Sequence, residues 1–384
     1  MRKRILIERV QIFKSIALIC VSLMTLTVLA SPKKAKKPLS VDIILPLSGV
    51  QQSWGTSMQQ GFELAQAELL EQGEDLRLVF FDSESKKNRA ATLAKELSEA
   101  KGSENKTVML AADELSLGEA RKHLDRNRVP YLVPMVEEKK LLKQMKMGQG
   151  FSQTLAGKIS VAGQFSMKEL SAKKVLLFLP LDNGRIEEFL AEAKSVLGKK
   201  AKLVVESYKE SEEISLLSAK VFEHKADVNW VPWMSAERLQ VLIRESRDLG
   251  WSRPFLGFED WDGVQLSEGL GEAWIGNFLI KHYHYSFDSK LNRKFVQNFS
   301  QRFSGKPSEL SALAYESLHF AFEAFKKSAY RGKGLSLLKM YRRFGRYKGL
   351  VGNYRVRQNA PLQRPLLVLR SAPGGYRVEA TYTP

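Results

Sequence analysis

Cysteine is nearly absent from this chain. Its 384 residues hold one, Cys20, so no internal disulfide can form and no thiolate set can hold a structural zinc. Long apolar runs are missing beyond the first 30 residues, where no stretch reaches the roughly 20 residues a membrane-spanning helix needs. Signature spacings of common catalysts are missing too: there is no Gly-x-Ser-x-Gly, no Walker-type phosphate loop and no His-Glu-x-x-His. Gly269-Leu270-Gly271 and Gly374-Gly375 read as turns rather than phosphate cradles. His282 and His284 form His-x-His, which on a strand puts both rings on one face, but no third ligand is evident. These absences argue against an enzyme and predict neither a cofactor nor a metal.

What the first 30 residues do hold is a targeting pattern. Arg2, Lys3, Arg4, Arg9 and Lys14 form a basic start, followed by an apolar stretch over 16–30. Val28-Leu29-Ala30 suits cleavage. The stretch is short for a span, so it reads as a signal peptide removed near Ala30, which places the mature chain in the periplasm. The alternative is retention as an N-terminal anchor in the inner membrane. Ile19 before Cys20 does not suit a lipoprotein signal, and Cys20 leaves with the segment.

Lysine and arginine outnumber aspartate and glutamate by 60 to 42, a formal net charge of +18. Losing five basic residues and Glu8 with the signal leaves about +14. Such an excess can mean nucleic acid or an anionic surface. Much of it is scattered in pairs such as Lys86-Lys87 and Lys199-Lys200, and the densest stretch is 331–357. In an exported chain this points away from nucleic acid and toward solvated surface, with contact to anionic lipid or cell-wall polymer as the alternative.

The length predicts two compact units. Residues 31–38 (SPKKAKKP) read as a basic, disordered linker. After it, apolar strands at 41–45, 76–81, 107–111 and 131–133 alternate with helical patterns at 86–100 and 118–126. The pattern restarts after Gln149, with strands at 174–179, 203–207, 228–232 and 254–257 between helices at 159–170, 185–197, 214–223 and 236–249. From Trp274 the chain is expected to cross back, with amphipathic helices at 291–303 and 311–327 and late strands at 349–355 and 366–369. Such alternation predicts an α/β fold with parallel sheets and right-handed crossovers.

The order of the segments carries a resemblance. VDIILPLSGVQQSWGTSMQQGFELAQAELL (41–70) resembles the first strand, turn and helix of type I periplasmic ligand-binding proteins, the leucine/isoleucine/valine-binding-protein-like receptors of ABC importers. LRLVFFDSESKKNRAATLAKELSEA resembles the second strand, its aspartate and the following helix. RVPYLVP resembles the Pro-bounded fourth strand, and DLGWSRPFLGFEDWDG a second-lobe strand running into the cleft. FVQNFSQRFSGKPSELSALAYESLHFAFEAF and YKGLVGNYRV resemble the returning helices and the late Gly-x-x-Gly strand. The resemblance implies two Rossmann-like lobes joined by a three-crossing hinge. Lobe 1 is expected at 39–152 plus 282–362, and lobe 2 at 153–281 plus 363–384.

It also implies a function: members of the family bind a small solute between the lobes by hinge closure and hand it, as monomers, to an inner-membrane permease. Matching positions make Trp54, Asp113, Ser116, Met135 and Glu137 of the first lobe, and Asn183, Trp233 and Glu259 of the second, the candidate ligand-binding residues. The first-lobe loops depart from the family pattern: Ala111-Ala112-Asp113-Glu114-Leu115-Ser116 replaces a Gly-Pro-x-Ser-Ser type loop, and Met135-Val136-Glu137 replaces small and hydroxyl residues. Ionised Asp113 and Glu137 repel a carboxylate and cannot donate to it. A cationic or neutral solute therefore suits this cleft beside an amino-acid-like one. The other reading is a non-transport envelope interaction protein on the same fold, as in activators of peptidoglycan synthases.

Overall fold

The computed structural model describes residues 39–100, 106–258, 261, 263–329, 335–356 and 362–384. The expected signal segment, the linker and Glu259 lie outside the described residues, as does part of the basic stretch at 331–357.

The first lobe grows from β1 (Leu39–Leu45), α1 (Gln52–Glu71), β2 (Leu76–Asp82), α2 (Lys87–Glu99), β3 (Lys106–Leu110), α3 (Glu114–Arg126), β4 (Tyr131–Val133), α4 (Lys139–Gln144) and β5 (Gly148–Gly150). Its five strands are parallel, in the order β2-β1-β3-β4-β5. β1 is covered on both faces, which is why Val41, Ile43, Ile44 and Leu45 are all sealed from solvent and why it reads as one apolar run. The strand order turns back between β1 and β3, and such a switch point opens a crevice at the strands' carboxyl ends.

The second lobe repeats the plan with α5 (Leu155–Lys168), β6 (Lys174–Pro180), α6 (Ile186–Leu197), β7 (Lys202–Tyr208), α7 (Ile214–His224), β8 (Val228–Val231), α8 (Ala236–Asp248), β9 (Phe255–Gly257), α9 (Gly263–Leu270) and β10 (Phe278–Lys281). β6 shows how the strand period sorts its side chains. Val175, Leu177 and Leu179 join one apolar cluster with Phe165 and Phe189, while Leu176 and Phe178 join another with Leu239, Leu242 and Trp274.

The chain then returns. α10 (Lys290–Phe303) and α11 (Glu309–Ala329) pack on α1, followed by α12 (Leu335–Arg343) and a two-stranded ribbon of β11 (Gly345–Gly349) and β12 (Gly352–Val356). The close approach of α1 and α11 requires Gly61, since a Cβ there would collide with the Ser311 carbonyl. Finally β13 (Leu366–Ala372) and β14 (Gly375–Tyr382) add an antiparallel hairpin to the second sheet, whose order is β14-β13-β10-β9-β8-β6-β7.

The chain passes between the two sheets after β5, after β10 and before β13, near Phe151–Gln153, His282 and Arg364, and one polar network ties these segments together. Gln153 N donates to His282 Nε2 (3.1 Å), and Gln153 Nε2 donates to the Arg364 carbonyl (2.9 Å). Arg364 Nη2 donates to the His282 carbonyl (3.3 Å) and to Glu316 of α11 (3.1 Å). Every one of these polar side chains is buried, so each must find its partner inside the protein.

Candidate functional site

The first loop is built to hold an aromatic over the crevice. Asp82, at the end of β2, accepts from Leu47 N (2.8 Å), Ser48 N (3.2 Å), Ser48 Oγ (2.7 Å) and Glu84 N (2.7 Å). Burial works against its charge, but these hydrogen bonds outweigh burial and hold its carboxyl below the ordinary range. Ser85 Oγ donates to the Ser48 carbonyl (2.7 Å) and accepts from Gln51 N (3.0 Å). Gly49 sits at φ +80, a conformation glycine adopts freely. Pinned this way, the loop starts α1 with Trp54 in its first turn, 43% exposed.

Beneath Trp54 lies a cavity of about 260 Å³, somewhat below the roughly 300–1,000 Å³ of typical small-molecule pockets. Its walls are the carboxyl ends of β1, β3 and β4 and the turns that follow. Pro46, Met58, Ala111 and Met135 give an apolar floor; Asp113, Glu114, Glu137 and Arg185 give the charges. Arg185 is the residue that reaches in from the second lobe.

The structure brings four of the expected residues to this cavity: Trp54, Asp113, Met135 and Glu137. It also shows what occupies the two carboxylates. Asp113 is the N-cap of α3, accepting from Leu115 N (3.1 Å), Ser116 N (3.0 Å) and Ser116 Oγ (2.6 Å). A side-chain oxygen there satisfies amide groups that the helix leaves unpaired. Glu137 is 5% exposed and pairs with Lys158 Nζ of α5 at 2.5 Å, with Arg185 Nη1 at 3.9 Å. Lys158 is itself buried and donates to the Phe258 carbonyl (3.1 Å). The turn carrying Met135 and Glu137 is fixed by Ser152 Oγ, which accepts from Val136 N and donates to its carbonyl, both at 2.8 Å.

Three expected residues take other places among the described residues, none of them in the cavity lining. Ser116 is buried against Asp113 in the helix cap. Asn183 Oδ1 accepts from Arg185 N (2.9 Å), a side-chain-closed turn that sets where Arg185 leaves the loop. Trp233, half-buried, packs edge-on against Phe189 of the second-lobe core at 5.2 Å.

Arg185 and Glu114 are the residues that sequence reasoning missed. Arg185 Nη1 lies 3.6 Å from Glu114 Oε1, and Nε lies 3.9 Å from Glu188. Burial pushes the Glu114 carboxyl above its ordinary value; Arg185 opposes the shift, and Glu138, Glu137 and Glu188 add to it. Glu188 is raised in the same manner, by burial first and by Glu138 and Glu192. A further pair, Lys139–Glu192 at 3.0 Å, also bridges the lobes. The site is thus a two-sided cleft with an aromatic lid, an apolar floor and charges of both signs.

A family model described as periplasmic binding protein matches residues 38–375. The chain belongs to the periplasmic binding protein family. Solved structures agree with that fold. A leucine binding protein from Thermotoga maritima is 20% identical with a TM-score of 0.71, over 90% of this chain and 99% of its own. A branched-chain amino acid substrate-binding protein from Streptococcus pneumoniae, in complex with isoleucine, is 18% identical with a TM-score of 0.72, over 90% and 99%. A solute binding protein from Rhodopseudomonas palustris, in complex with 3,4-dihydroxy benzoic acid, is 18% identical with a TM-score of 0.72, over 90% and 97%. No curated protein sequence matches significantly. In this periplasmic binding protein, no helix among the described residues is long and apolar enough to cross a membrane, and no cluster of three or more metal-ligating side chains occurs among them. His282 and His284 bond to different partners, Glu309 (2.9 Å) and Ser286 (2.7 Å).

Proposed function

We propose that this protein is the solute receptor of an ABC importer, exported to the periplasm with its signal removed near Ala30. It clasps a small amino-acid-like solute between its lobes and carries it, as a monomer, to an inner-membrane permease. The observation that carries this reading is a cavity lined from both sides, by the strand ends of the first lobe and by Arg185 of the second. A solute touching both walls stabilises the closed arrangement over the open one, and that differential affinity drives the hinge. The network of Gln153, His282 and Arg364 at the crossings is where such a hinge would bend.

The similar proteins support the reading through what they hold: isoleucine in one and 3,4-dihydroxy benzoic acid in another. Trp54, Met58 and Met135 would cover the apolar body of the solute. Its polar groups would meet Glu114, Glu137 and Arg185. Asp113 is committed to its helix and Glu137 to Lys158, so the first-lobe acids are not simply a trap for cations. This favours an amino-acid-like solute over a bare cation. The chemistry is binding, with no reacting group required.

A thermal-shift screen against amino acids, polyamines, small peptides and aromatic acids tests this. A solute present at 100 times its Kd stabilises by about 2.7 kcal/mol, a shift of several degrees that is easily read. Stabilisation by an amino-acid-like solute is expected. No stabilisation by any compound, together with an envelope protein recovered by crosslinking, would replace this reading with the interaction-protein one.

A further inference from the structure

Arg185 stands in an unusual position for a paired arginine. Its Nη1 is 3.6 Å from Glu114 and 3.9 Å from Glu137, across the cleft, both beyond hydrogen-bond length. Its Nε and Nη2 are buried and make no hydrogen bond among the described residues. Asn183 fixes the backbone turn that carries Arg185, and from that turn the side chain reaches into the cavity. It is held electrostatically among Glu114, Glu137 and, from its own helix, Glu188 (3.9 Å from Nε), while two of its donors make no hydrogen bond among the described residues.

We propose that Arg185 is the specificity-determining residue of this cleft. In the empty site it draws the lobes together by bridging to Glu114 and Glu137. A solute is admitted when it brings a carboxylate that takes the guanidinium from those glutamates. The inference rests on the solute-receptor reading and deepens it. A planar carboxylate can accept two parallel N–H bonds from the guanidinium, which the two glutamates at 3.6 and 3.9 Å do not. A lone amine, by contrast, meets a wall whose acids already face Arg185 and Lys158. Arg185 therefore selects for an anionic group and against a simple cation. Without it, the same wall would select the opposite sign.

Two substitutions separate this role from a structural one. Glu114→Gln removes the competitor and Arg185→Gln removes the reader. Calorimetry would use three probes on one apolar body (L-phenylalanine, phenethylamine and 3-phenylpropionate) and the same three on a leucine-sized body. In the unmodified protein the carboxylate-bearing probes are expected to bind and the amines not to. Arg185→Gln should weaken the carboxylate probes by about tenfold or more, as loss of charge-assisted hydrogen bonds does, and should allow the amines to bind. Glu114→Gln should tighten the carboxylate probes several-fold. Small-angle scattering of the ligand-free protein should show the lobes more open in Arg185→Gln, and in the unmodified protein at high salt, where such pairs are screened. The proposal is overturned if both variants shift the carboxylate probes in the same direction. It is equally overturned if amines bind the unmodified protein as well as carboxylates do, if no carboxylate probe binds, or if scattering is unchanged by substitution and salt. A solute from the thermal-shift screen that binds the unmodified protein and Arg185→Gln equally would remove this role while leaving the solute-receptor reading intact.

Discussion

Arg364 Nη2 lies 3.1 Å from Glu316 Oε2, and both side chains are sealed from solvent. The pair joins the last crossing between the lobes to α11 of the first lobe. Tyr354 OH (2.5 Å) and Leu350 N (2.6 Å) both donate to Glu316 Oε1, and Arg364 meets Oε2, so the carboxylate is satisfied on both oxygens. Removing one partner leaves the other charge buried without compensation. Arg364→Met should therefore destabilise the protein by about 3–5 kcal/mol. Adding Glu316→Gln should recover part of that loss. Urea unfolding followed by circular dichroism measures both.

The cap of α3 predicts a smaller effect. Asp113→Ala strips three hydrogen bonds from the start of the helix and should lower stability by about 1 kcal/mol, with Asp113→Asn restoring most of it. The same urea titration reads the difference. Equal stability of the alanine and native forms would mean the cap is not formed.

Acid should weaken the fold through its buried histidines. Burial holds His284 and His319 down to about 4, with Lys281 adding to the effect at His284. Burial also lowers His282, against the opposing pull of Glu309. His284 and His319 stay neutral in the folded chain between pH 6.5 and about 4, and His282 is shifted in the same direction, while the unfolded chain protonates them. Unfolding then takes up protons, so stability is full above pH 6.5 and falls as the pH drops toward 4. Each such histidine contributes a slope of up to about 1.4 kcal/mol per pH unit. Glu309 is buried, yet Lys281 and His282 hold it well below its ordinary value, so its contribution is present above the unfolded carboxylate value and is lost only at lower pH. Unfolding midpoints measured from pH 8 to pH 4 should decline across this window and flatten when His319→Gln removes one titrating ring.

The contact of α1 with α11 gives a steric prediction. Gly61→Ala places a methyl group against the Ser311 carbonyl, and relief requires the two helices to move apart. Overpacking of this kind destabilises by about 1–3 kcal/mol. A thermal melt should show the loss, and Gly118→Ala, where a Cβ meets nothing within 4 Å, should not.

The fold was largely legible because burial writes itself into periodicity. β1 and β6 are covered on both faces and read as apolar runs; α10, with Phe295 and Phe299 inward, reads as a striped helix. β14 was not anticipated, because its alternating half-buried and exposed residues follow a glycine turn and carry no apolar run. The site was legible only in part. Trp54, Met135 and Glu137 follow strand ends whose place the fold determines. Asn183 and Trp233 occupy equally suitable positions, yet one closes a turn and the other packs on Phe189. Arg185 stood unmarked among many basic residues, since a charge facing a cleft and a charge facing solvent look alike in sequence. The signal that could have found it is the polar turn 182–184 after β6, which leaves the next residue at the carboxyl end of a second-lobe strand, where its side chain reaches the cavity.

The central claim is that a small solute binds under Trp54 between the lobes. Calorimetric titration of the best solute from the thermal-shift screen into the native protein and into Trp54→Ala tests it most directly. Loss of the aromatic lid should weaken binding by about tenfold or more without changing the stability of the ligand-free protein. Equal affinity in the two proteins would place the solute elsewhere and contradict the account.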